Sequence, residues 1–275
     1  MITGSARLEY FRHTGESLSG RFFTHRLFPF TPGELAAAGL KPDLDRLISR
    51  GGFPEPFLAE DEILARRWRT QYVDGLLRED VLDFQKLSDY KSLALCLDLL
   101  RSRVGSPISY TSIAGDIGIA PNTVKKYIQI FEELYIIFRI TPFSNNIARS
   151  LLKEPKIYFF DTALVDGDEG IKFENLTALT LAKEAAAETD VRGLPASLHY
   201  LRTKDGREVD FCYVRDGKAQ YLLETKLSDS SISKQLRYFS TQYNIPGIQL
   251  VKNLKRERQE GIEVRFAQTW LAGLE

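Results

Sequence analysis

The chain has 275 residues, of which 43% are hydrophobic and 27% are charged, values typical of a soluble globular protein. Its 37 basic and 37 acidic residues cancel, so binding to nucleic acid would require local basic patches. The length is sufficient for two domains, each with its own hydrophobic core. The sequence shows no secretory signal and no apolar run of membrane length, so we expect a cytoplasmic protein without membrane contact.

Cysteine and histidine usage argues against a disulfide framework and against a structural zinc site. Cys96 and Cys212 lie far apart and form no CxxC pair, so reduced thiols are expected. His13, His25 and His199 lack the spacing that is typical of zinc ligands.

The beginning of the chain has an irregular pattern. An extended run over residues 22–30 ends at Pro32 and Gly33, and a short helix is predicted over residues 34–38. Residues 41–60 are rich in glycine and proline and are expected to be mostly loop.

Two longer helices are predicted next. Apolar residues from Leu64 to Leu77 recur near the helical period, which indicates a helix over residues 61–84. The charged residues 78–80 near its end are interpreted as a solvated face. A second helix, over residues 90–103, is ended by a glycine and a proline.

The middle of the chain has the pattern of a helix-turn-helix. Gly118 makes a tight turn between a short helix over residues 111–117 and a second helix from Pro121 to Leu134. The strand predicted after it, over residues 136–140, suggests a winged-helix form.

The second helix of this motif carries the candidate nucleic-acid contacts. Its polar positions, where a recognition helix would meet a duplex, are Asn122, Thr123, Lys125, Lys126 and Gln129. Two lysines are few for phosphate binding. An inter-domain spacer or a protein-binding module therefore stays open as the alternative.

From about residue 171 the pattern predicts a helix, three strands, a helix and two strands. The predicted helices cover residues 173–188 and 230–243, and the predicted strands cover residues 198–203, 207–214, 219–227, 247–252 and 262–266. A buried strand before them, over residues 156–161, ends in Asp161, which is expected to cap the next turn.

A hairpin turn at residues 216–217 joins two of these strands, and its length decides which side chains share a face. A two-residue loop puts Asp210 and Glu224 on opposite faces of the sheet. A three-residue loop that begins at Arg215 pairs Asp210 with Leu222 and puts both carboxylates on one face. The hydrophobic pattern favours this second register. The residues that it gathers on the core-facing side are Val209, Phe211, Tyr213, Tyr221 and Leu223.

Three charged side chains of the hairpin indicate chemistry on phosphates. Glu224 and Lys226 are two residues apart on one strand and therefore project from the same face. Together with Asp210, they could hold a divalent cation beside a scissile phosphate. The alternative is a surface ion cluster, worth about 0–1 kcal/mol of stability.

The first forty residues contain three motifs, which are Ile2-Thr-Gly-Ser5, Ser17-Leu-Ser-Gly-Arg21 and Leu27-Phe-Pro-Phe-Thr-Pro-Gly-Glu34. In this order they resemble the closing segment of a AAA-type P-loop ATPase module. The sequence has no G-x-x-x-x-G-K-[ST] motif. The resemblance therefore implies a truncated relative, and no ATP site or ATPase activity is expected from this chain. An irregular N-terminal arm is the alternative.

The rest of the chain contains further motifs, which include Pro155-Lys-Ile-Tyr-Phe-Phe-Asp161, Gly206-Arg-Glu-Val-Asp-Phe211 and Leu223-Glu-Thr-Lys226. Together they resemble a prokaryotic family of unknown function that is found C-terminal to AAA-type ATPase modules. In that family a winged helix leads into a PD-(D/E)XK nuclease-like domain. The resemblance implies a mixed α+β (α/β) chain with an ATPase remnant over residues 1–40, a helical and winged-helix domain over 41–145, and the nuclease-like domain over 146–275.

The resemblance also implies roles for single residues. Asp210 and Glu224 would coordinate one Mg²⁺ or Mn²⁺, and Lys226 would stabilise charge on the phosphate or orient the attacking water. Glu174 matches an extra acidic residue, and Gln235 a helical glutamine, of some members of the fold. The proline that usually precedes the first aspartate is absent here.

Two hypotheses of function follow from this resemblance. One is a metal-dependent, nuclease-like module that binds DNA. The other is a non-catalytic scaffold of the same fold with a regulatory role in binding DNA, a partner protein or a second copy of itself.

Overall fold

The computed structural model describes residue 23 and residues 25–78, 90–143, 154–228 and 231–274. The two ATPase-like motifs that precede residue 23 lie outside these residues. So do residues 79–84, which were predicted to end the first long helix.

The first half of the described chain is helical. Its helices are α1 (Pro32–Ala37), α2 (Leu44–Arg50), α3 (Pro54–Leu58), α4 (Glu62–Gly75), α5 (Tyr90–Arg101), α6 (Tyr110–Ile117) and α7 (Pro121–Glu133). The prediction of loop over residues 41–60 is wrong, because α2 and α3 lie there. The Asp43 side chain caps α2 by accepting a hydrogen bond from Arg46 N, and Pro54 opens α3. Both helices are too short to show helical periodicity.

The two helices predicted on either side of Gly118 are present. Ser109 caps α6 by accepting a hydrogen bond from Ser112 N, and Gly118 ends that helix in the left-handed conformation with φ of 80°. The strand after α7 does not stand apart. It joins the large β-sheet of the protein by pairing with two other strands.

The second half of the chain builds a mixed α+β arrangement around an eight-stranded sheet. The strands are β1 (Ile137–Pro142), β2 (Lys156–Phe159), β3 (Ala196–Arg202), β4 (Glu208–Arg215), β5 (Lys218–Ser228), β6 (Gly247–Asn253), β7 (Arg258–Gln259) and β8 (Glu263–Phe266), and the helices are α8 (Glu169–Asp190), α9 (Lys234–Tyr243) and α10 (Ala267–Ala272). The strand order is β2-β1-β3-β4-β5-β6-β8-β7. The pairs β1–β3, β5–β6 and β6–β8 are parallel, and the other four are antiparallel.

Helices cover both faces of the central strands. On one face, Phe173 of α8 belongs to the same buried cluster as Phe211 of β4. On the other face, Leu236 of α9 packs in a second cluster with Cys212 of β4. Val209 belongs to this second cluster, so its predicted grouping with Phe211 is wrong. The β3–β4 ladder shifts register by one residue there, which interrupts the alternation of faces.

The β4–β5 hairpin closes through a two-residue turn, and the predicted three-residue loop is wrong. Arg215 pairs with Lys218, and Asp216 and Gly217 between them have positive φ values of 48° and 71°. Two successive residues with positive φ are typical of a type I′ turn, whose twist suits the flanking strands. The left-handed conformation predicted for Gly217 is confirmed.

A β-bulge then corrects the pairing of the two strands. Tyr213 pairs with Tyr221, which leaves Gln220 as an extra residue on β5. Beyond the bulge the register differs by two residues from the predicted one. Because the faces of a strand alternate with a period of two, Phe211 and Leu223 still share one buried cluster as predicted.

None of the helices in the described ranges combines the length and the hydropathy that are needed to cross a membrane.

Candidate functional site

Asp210 lies near the start of β4 and is held by Thr225 of β5. Its Oδ2 accepts hydrogen bonds from Thr225 N and from Thr225 Oγ1, both at 2.9 Å. The described residues donate no hydrogen bond to Asp210 Oδ1. One oxygen of this carboxylate therefore fixes its orientation, and the other is available to a ligand.

Glu224 and Lys226 form an ion pair on β5. Lys226 Nζ donates to Glu224 Oε1 at 2.8 Å, which agrees with their predicted common face. Glu224 is 8% exposed, and its Oε2 is buried without a hydrogen-bond partner among the described residues. Burial raises the pKa of Glu224, and the nearby Ser233 side chain partly offsets this rise. The Ser233 hydroxyl forms no hydrogen bond of normal geometry to Oε2.

Gln249 supports the start of α9 beside Glu224. It pairs directly with Glu224 across the parallel β5–β6 ladder and is fully buried. Its Oε1 accepts a hydrogen bond from Ser233 N at 2.8 Å, and Ser233 caps α9. The buried glutamine beside Glu224 is therefore Gln249 of β6.

Glu174 approaches the site from α8. Tyr158 OH of β2 donates to Glu174 Oε1 at 2.7 Å, and Lys156 Nζ lies 3.7 Å from the same oxygen. Gly105 packs against this carboxylate, because a Cβ atom there would lie only 2.8 Å from Oε1. Its φ of 75° also favours glycine. The backbone at this position thus leaves the space that the carboxylate fills.

Lys156 is a buried cation between two carboxylates. The residue is 1% exposed, and its Nζ lies 2.6 Å from Glu208 Oε1. Arg202 binds the other oxygen of Glu208 at 3.0 Å. The Lys156 ammonium also lies 5.3 Å from the centroid of the Tyr200 ring, within cation–π range.

The charge of Asp210 connects these groups electrostatically. Burial and the Asp210 charge raise the pKa of Glu174 to about 8, and the same two causes raise the pKa of Glu224. Burial lowers the pKa of Lys226, but its bond to Glu224 and the charges of Asp210 and Glu174 outweigh this and raise it. The predicted residues Glu174, Asp210, Glu224 and Lys226 therefore lie within one electrostatic cluster.

This cluster could hold one hard cation through two of its carboxylates. No group of three or more His, Cys, Asp or Glu side chains in the described residues is arranged to hold a metal ion. Mg²⁺, however, keeps several waters and binds through one or two carboxylates plus substrate phosphates. Asp210 Oδ1 and Glu224 Oε2 are the candidate ligands of such a site, since neither oxygen has a hydrogen-bond partner among the described residues.

Two groups of predicted site residues, Gln235 and the polar residues of α7, are not hydrogen-bonded to this cluster. Gln235 is exposed on α9, and no hydrogen bond joins it to the carboxylates of the described site. Asn122, Lys125 and Lys126 are exposed on α7, and Thr123 is half-buried there. The Lys125 ammonium lies 5.6 Å from the centroid of the Tyr110 ring.

Sequence reasoning missed Lys156, Tyr158, Glu208 and Gln249. A signal existed for Lys156, because a lysine at the start of an otherwise apolar, buried strand needs a buried partner. No comparable signal existed for Gln249. Its place beside Glu224 depends on the pairing of β5 with β6, which the local sequence does not specify.

Two family models match the chain, and both are described as domains of unknown function. DUF8612 matches residues 41–171, and DUF4143 matches residues 169–268. The two matches meet at the beginning of α8. Glu174 and the β4–β5 hairpin fall within the second match, whereas Lys156 and Tyr158 fall within the first.

Similar proteins are known from bacteria and archaea, and they are uncharacterised. One protein of Mycobacterium bovis and one of Mycobacterium tuberculosis are each 27% identical over 244 residues, covering 86% of this chain and 54% of their own. A protein of Methanocaldococcus jannaschii is 23% identical over 263 residues, covering 86% of this chain and 58% of its own. The chain thus spans about half the length of the curated relatives it matches. No solved structure matches it.

Proposed function

We propose that the C-terminal part of this chain is a metal-dependent phosphodiesterase module of the nuclease type. The observation that carries the proposal is a pair of carboxylate oxygens, Asp210 Oδ1 and Glu224 Oε2, that have no hydrogen-bond partner among the described residues and belong to the cluster that contains the Lys226 ammonium. The order α8-β3-β4-β5-α9-β6 supports it, because it is the order of the PD-(D/E)XK fold that the sequence resembles.

The residues of the cluster would have separate roles in hydrolysis of the phosphodiester. A bound Mg²⁺ or Mn²⁺ would supply Lewis-acid polarisation of the phosphodiester and a water of lowered pKa. Lys226 would exchange its bond to Glu224 for a phosphate oxygen, whose developing charge it would stabilise. Glu174, with a pKa of about 8, can take up or release a proton near neutral pH.

Metal binding and cleavage of DNA test the proposal directly. Purified protein is incubated with plasmid and with single-stranded DNA in Mg²⁺ or Mn²⁺, and Mn²⁺ affinity is measured by electron paramagnetic resonance. We expect Asp210→Asn and Glu224→Gln to weaken Mn²⁺ binding at least tenfold and to abolish cleavage, because each removes one ligand charge. Lys226→Met should abolish cleavage with a smaller effect on Mn²⁺ affinity.

The matched control is Glu260→Gln, which neutralises an exposed carboxylate outside the site. It should leave both readouts unchanged. Absence of cleavage together with an unchanged Mn²⁺ affinity in Asp210→Asn would contradict the proposal.

A second candidate function is a non-catalytic scaffold that binds nucleic acid or protein. The observation in its favour is that Thr225 and Lys226 already bind one oxygen each of the Asp210 and Glu224 carboxylates. This candidate predicts that Asp210→Asn and Lys226→Met bind DNA as tightly as the wild type does, in a protein that never cleaves it.

For α7 we propose duplex contacts through Asn122, Thr123, Lys125 and Lys126. The double variant Lys125→Glu/Lys126→Glu should weaken binding to a duplex and lower the slope of log K against log salt by about 1.8, as expected for two lost phosphate contacts. An unchanged slope would assign α7 to packing or to a protein partner.

The resemblance of residues 1–40 to an ATPase module also carries a proposal. We infer that this segment derives from such a module but binds no nucleotide by itself. Because this chain has no P-loop motif, ATP hydrolysis by the purified chain would contradict that inference.

A further inference from the structure

The helix α9 carries positive charge and no negative charge. Its ten residues include Lys234 and Arg237 but no aspartate or glutamate, in a chain with 37 basic and 37 acidic residues. Arg237 and Tyr238 each lie three or four residues from both Lys234 and Thr241, so the four residues line one stripe of the helix. All four are exposed.

The turn between β3 and β4 extends this positive stripe. Arg207 at the end of the turn lies 4.5 Å from the centroid of the Tyr238 ring, which joins the turn to the helix. Lys204 at the tip of the turn is exposed. Within the described residues, Lys204, Lys234 and Arg237 form no ion pair, whereas Arg207 is paired with the exposed Asp205 at 3.1 Å.

This surface adjoins the carboxylate cluster. Ser233, the cap of α9, lies near Glu224. Its N–H donates a hydrogen bond to Gln249, which pairs with Glu224 in the sheet. A polyanion that lies along α9 would therefore pass the site at the beginning of the helix.

We propose that Lys204, Lys234, Arg237 and Tyr238 form a binding surface for single-stranded nucleic acid. The unpaired cations complement backbone phosphates. Tyr238 is 38% exposed and offers an aromatic surface on which a base can stack, a combination typical of single-strand binding. An acidic peptide would use the cations but would not need the tyrosine. The proposal deepens the proposed function, because it names the form of nucleic acid that is delivered to the same site.

The test measures binding without divalent cations, so that it does not depend on cleavage. Fluorescence anisotropy of a labelled single-stranded oligonucleotide of about 20 nucleotides is followed in EDTA at several salt concentrations. We expect Lys234→Glu/Arg237→Glu to weaken binding on the order of tenfold and to lower the salt slope by about 1.4, the value for two lost contacts to a single strand. Tyr238→Ala should weaken binding roughly tenfold, and Tyr238→Phe should not, because the phenylalanine ring still stacks.

The matched control is Arg66→Glu/Arg67→Glu, which makes the same change of charge at exposed positions of α4. It should leave the affinity nearly unchanged, and melting curves should show that every variant is folded. Equal losses in the α9 and α4 double variants would overturn the proposal, because binding would then follow net charge alone. So would a loss of binding in Tyr238→Phe, or equal competition by polyglutamate of matched charge.

Failure of this proposal and failure of the proposed function give different results. Asp210→Asn should keep the single-strand affinity in EDTA even if no variant ever cleaves DNA. Conversely, if Lys234→Glu/Arg237→Glu keeps both cleavage and the single-strand affinity, the proposal for the α9 surface is wrong. The proposal for the metal site would be unaffected.

Discussion

Thr225 controls which oxygen of Asp210 is available to a ligand. Its N–H and its hydroxyl both bind Oδ2, so that the carboxylate cannot rotate without breaking a hydrogen bond. Thr225→Val removes the hydroxyl and keeps the shape of the side chain. We expect the free energy of unfolding to fall by about 1 kcal/mol, and Mn²⁺ affinity to fall a few-fold because Asp210 is less well oriented.

Thr225→Ser is the matched control for this prediction. Serine keeps the hydroxyl donor, so it should retain most of the wild-type Mn²⁺ affinity. Chemical denaturation gives the stability of each variant. If the serine and valine variants lose the same Mn²⁺ affinity, the hydroxyl is not what orients Asp210.

Glu174 should make stability depend on pH. Burial and Asp210 raise its pKa in the folded state from the ordinary 4.5 to about 8. Between these values the folded state binds more protons than the unfolded state, so stability is highest below the unfolded pKa and falls as the pH rises. Because 18% of the side chain is exposed, the full shift is discounted, and we expect a loss of roughly 3 kcal/mol between pH 5 and pH 9.

Glu174→Gln isolates this contribution. The difference in unfolding free energy between variant and wild type should rise by roughly 3 kcal/mol in favour of the variant from pH 5 to pH 9. Urea denaturation at each pH gives that difference. A difference that stays flat would show that Lys156 and Tyr158 keep Glu174 ionised at all these pH values.

The bulge in β5 accommodates one extra residue. Gln220 is that residue, and it lies between the Val214–Ala219 pair and the Tyr213–Tyr221 pair. Deleting Gln220 would remove the bulge but leave the later residues of β5 opposite the same partners and on the same faces. We expect the deletion to lower the free energy of unfolding by only about 1 kcal/mol, because Leu222 and Leu223 would keep their buried clusters.

Gln220→Ala is the control for the deletion, because it keeps the chain length and the bulge. The side chain of Gln220 bonds only the carbonyl of Lys218, so this variant should lose less than about 1 kcal/mol. Urea denaturation compares the two. A loss of several kcal/mol in the deletion alone would contradict the prediction and show that the hairpin depends on the bulge itself.

The faces of Phe211 and Leu223 were predicted correctly, but the register of the hairpin was not, and the reason is physical. The alternation of apolar residues has a period of two, so it distinguishes odd shifts from even shifts only. A three-residue loop and a two-residue turn followed by a bulge on β5 differ by an even shift. The pattern therefore specified the common burial of Phe211 and Leu223, but it could not locate the bulge.

Longer elements and local caps were readable from the sequence, whereas contacts distant in sequence were not. The helix predicted over residues 121–134 is found as Pro121–Glu133. Asp161 caps the following turn as predicted, by accepting a hydrogen bond from Ala163 N. Gln235 was predicted as the glutamine of the site, whereas the glutamine that lies next to Glu224 is Gln249. The sequence near Gln249 does not specify this contact, because it depends on the pairing of β5 with β6.

At the scale of the whole molecule, ion pairs join the helical part to the sheet. Arg69 of α4 binds Asp161 Oδ2 at 2.9 Å, and both side chains are nearly inaccessible to solvent. Lys252 of β6 binds Asp45 of α2 and Glu169 of α8. One buried hydrophobic cluster also runs from the helices into the sheet. These contacts predict that the two parts unfold together rather than as separate domains.

The two tryptophans of the chain allow this prediction to be tested. Trp68 lies on α4 and stacks on Tyr72 with ring centroids 4.8 Å apart, whereas Trp270 lies on α10 against Tyr221. In Trp68→Phe only Trp270 reports, and in Trp270→Phe only Trp68 reports. Each fluorescence transition in urea should coincide with the circular-dichroism transition of the same variant.

Arg69→Met provides the second half of the same test. It leaves the Asp161 carboxylate buried without its cation, which should lower the free energy of unfolding by about 3–5 kcal/mol. If the chain unfolds as one unit, both tryptophans should report the same lowered midpoint when this change is added to each single-tryptophan variant. A lowered midpoint seen by Trp68 alone would instead show that the helical part unfolds independently of the sheet that carries the site.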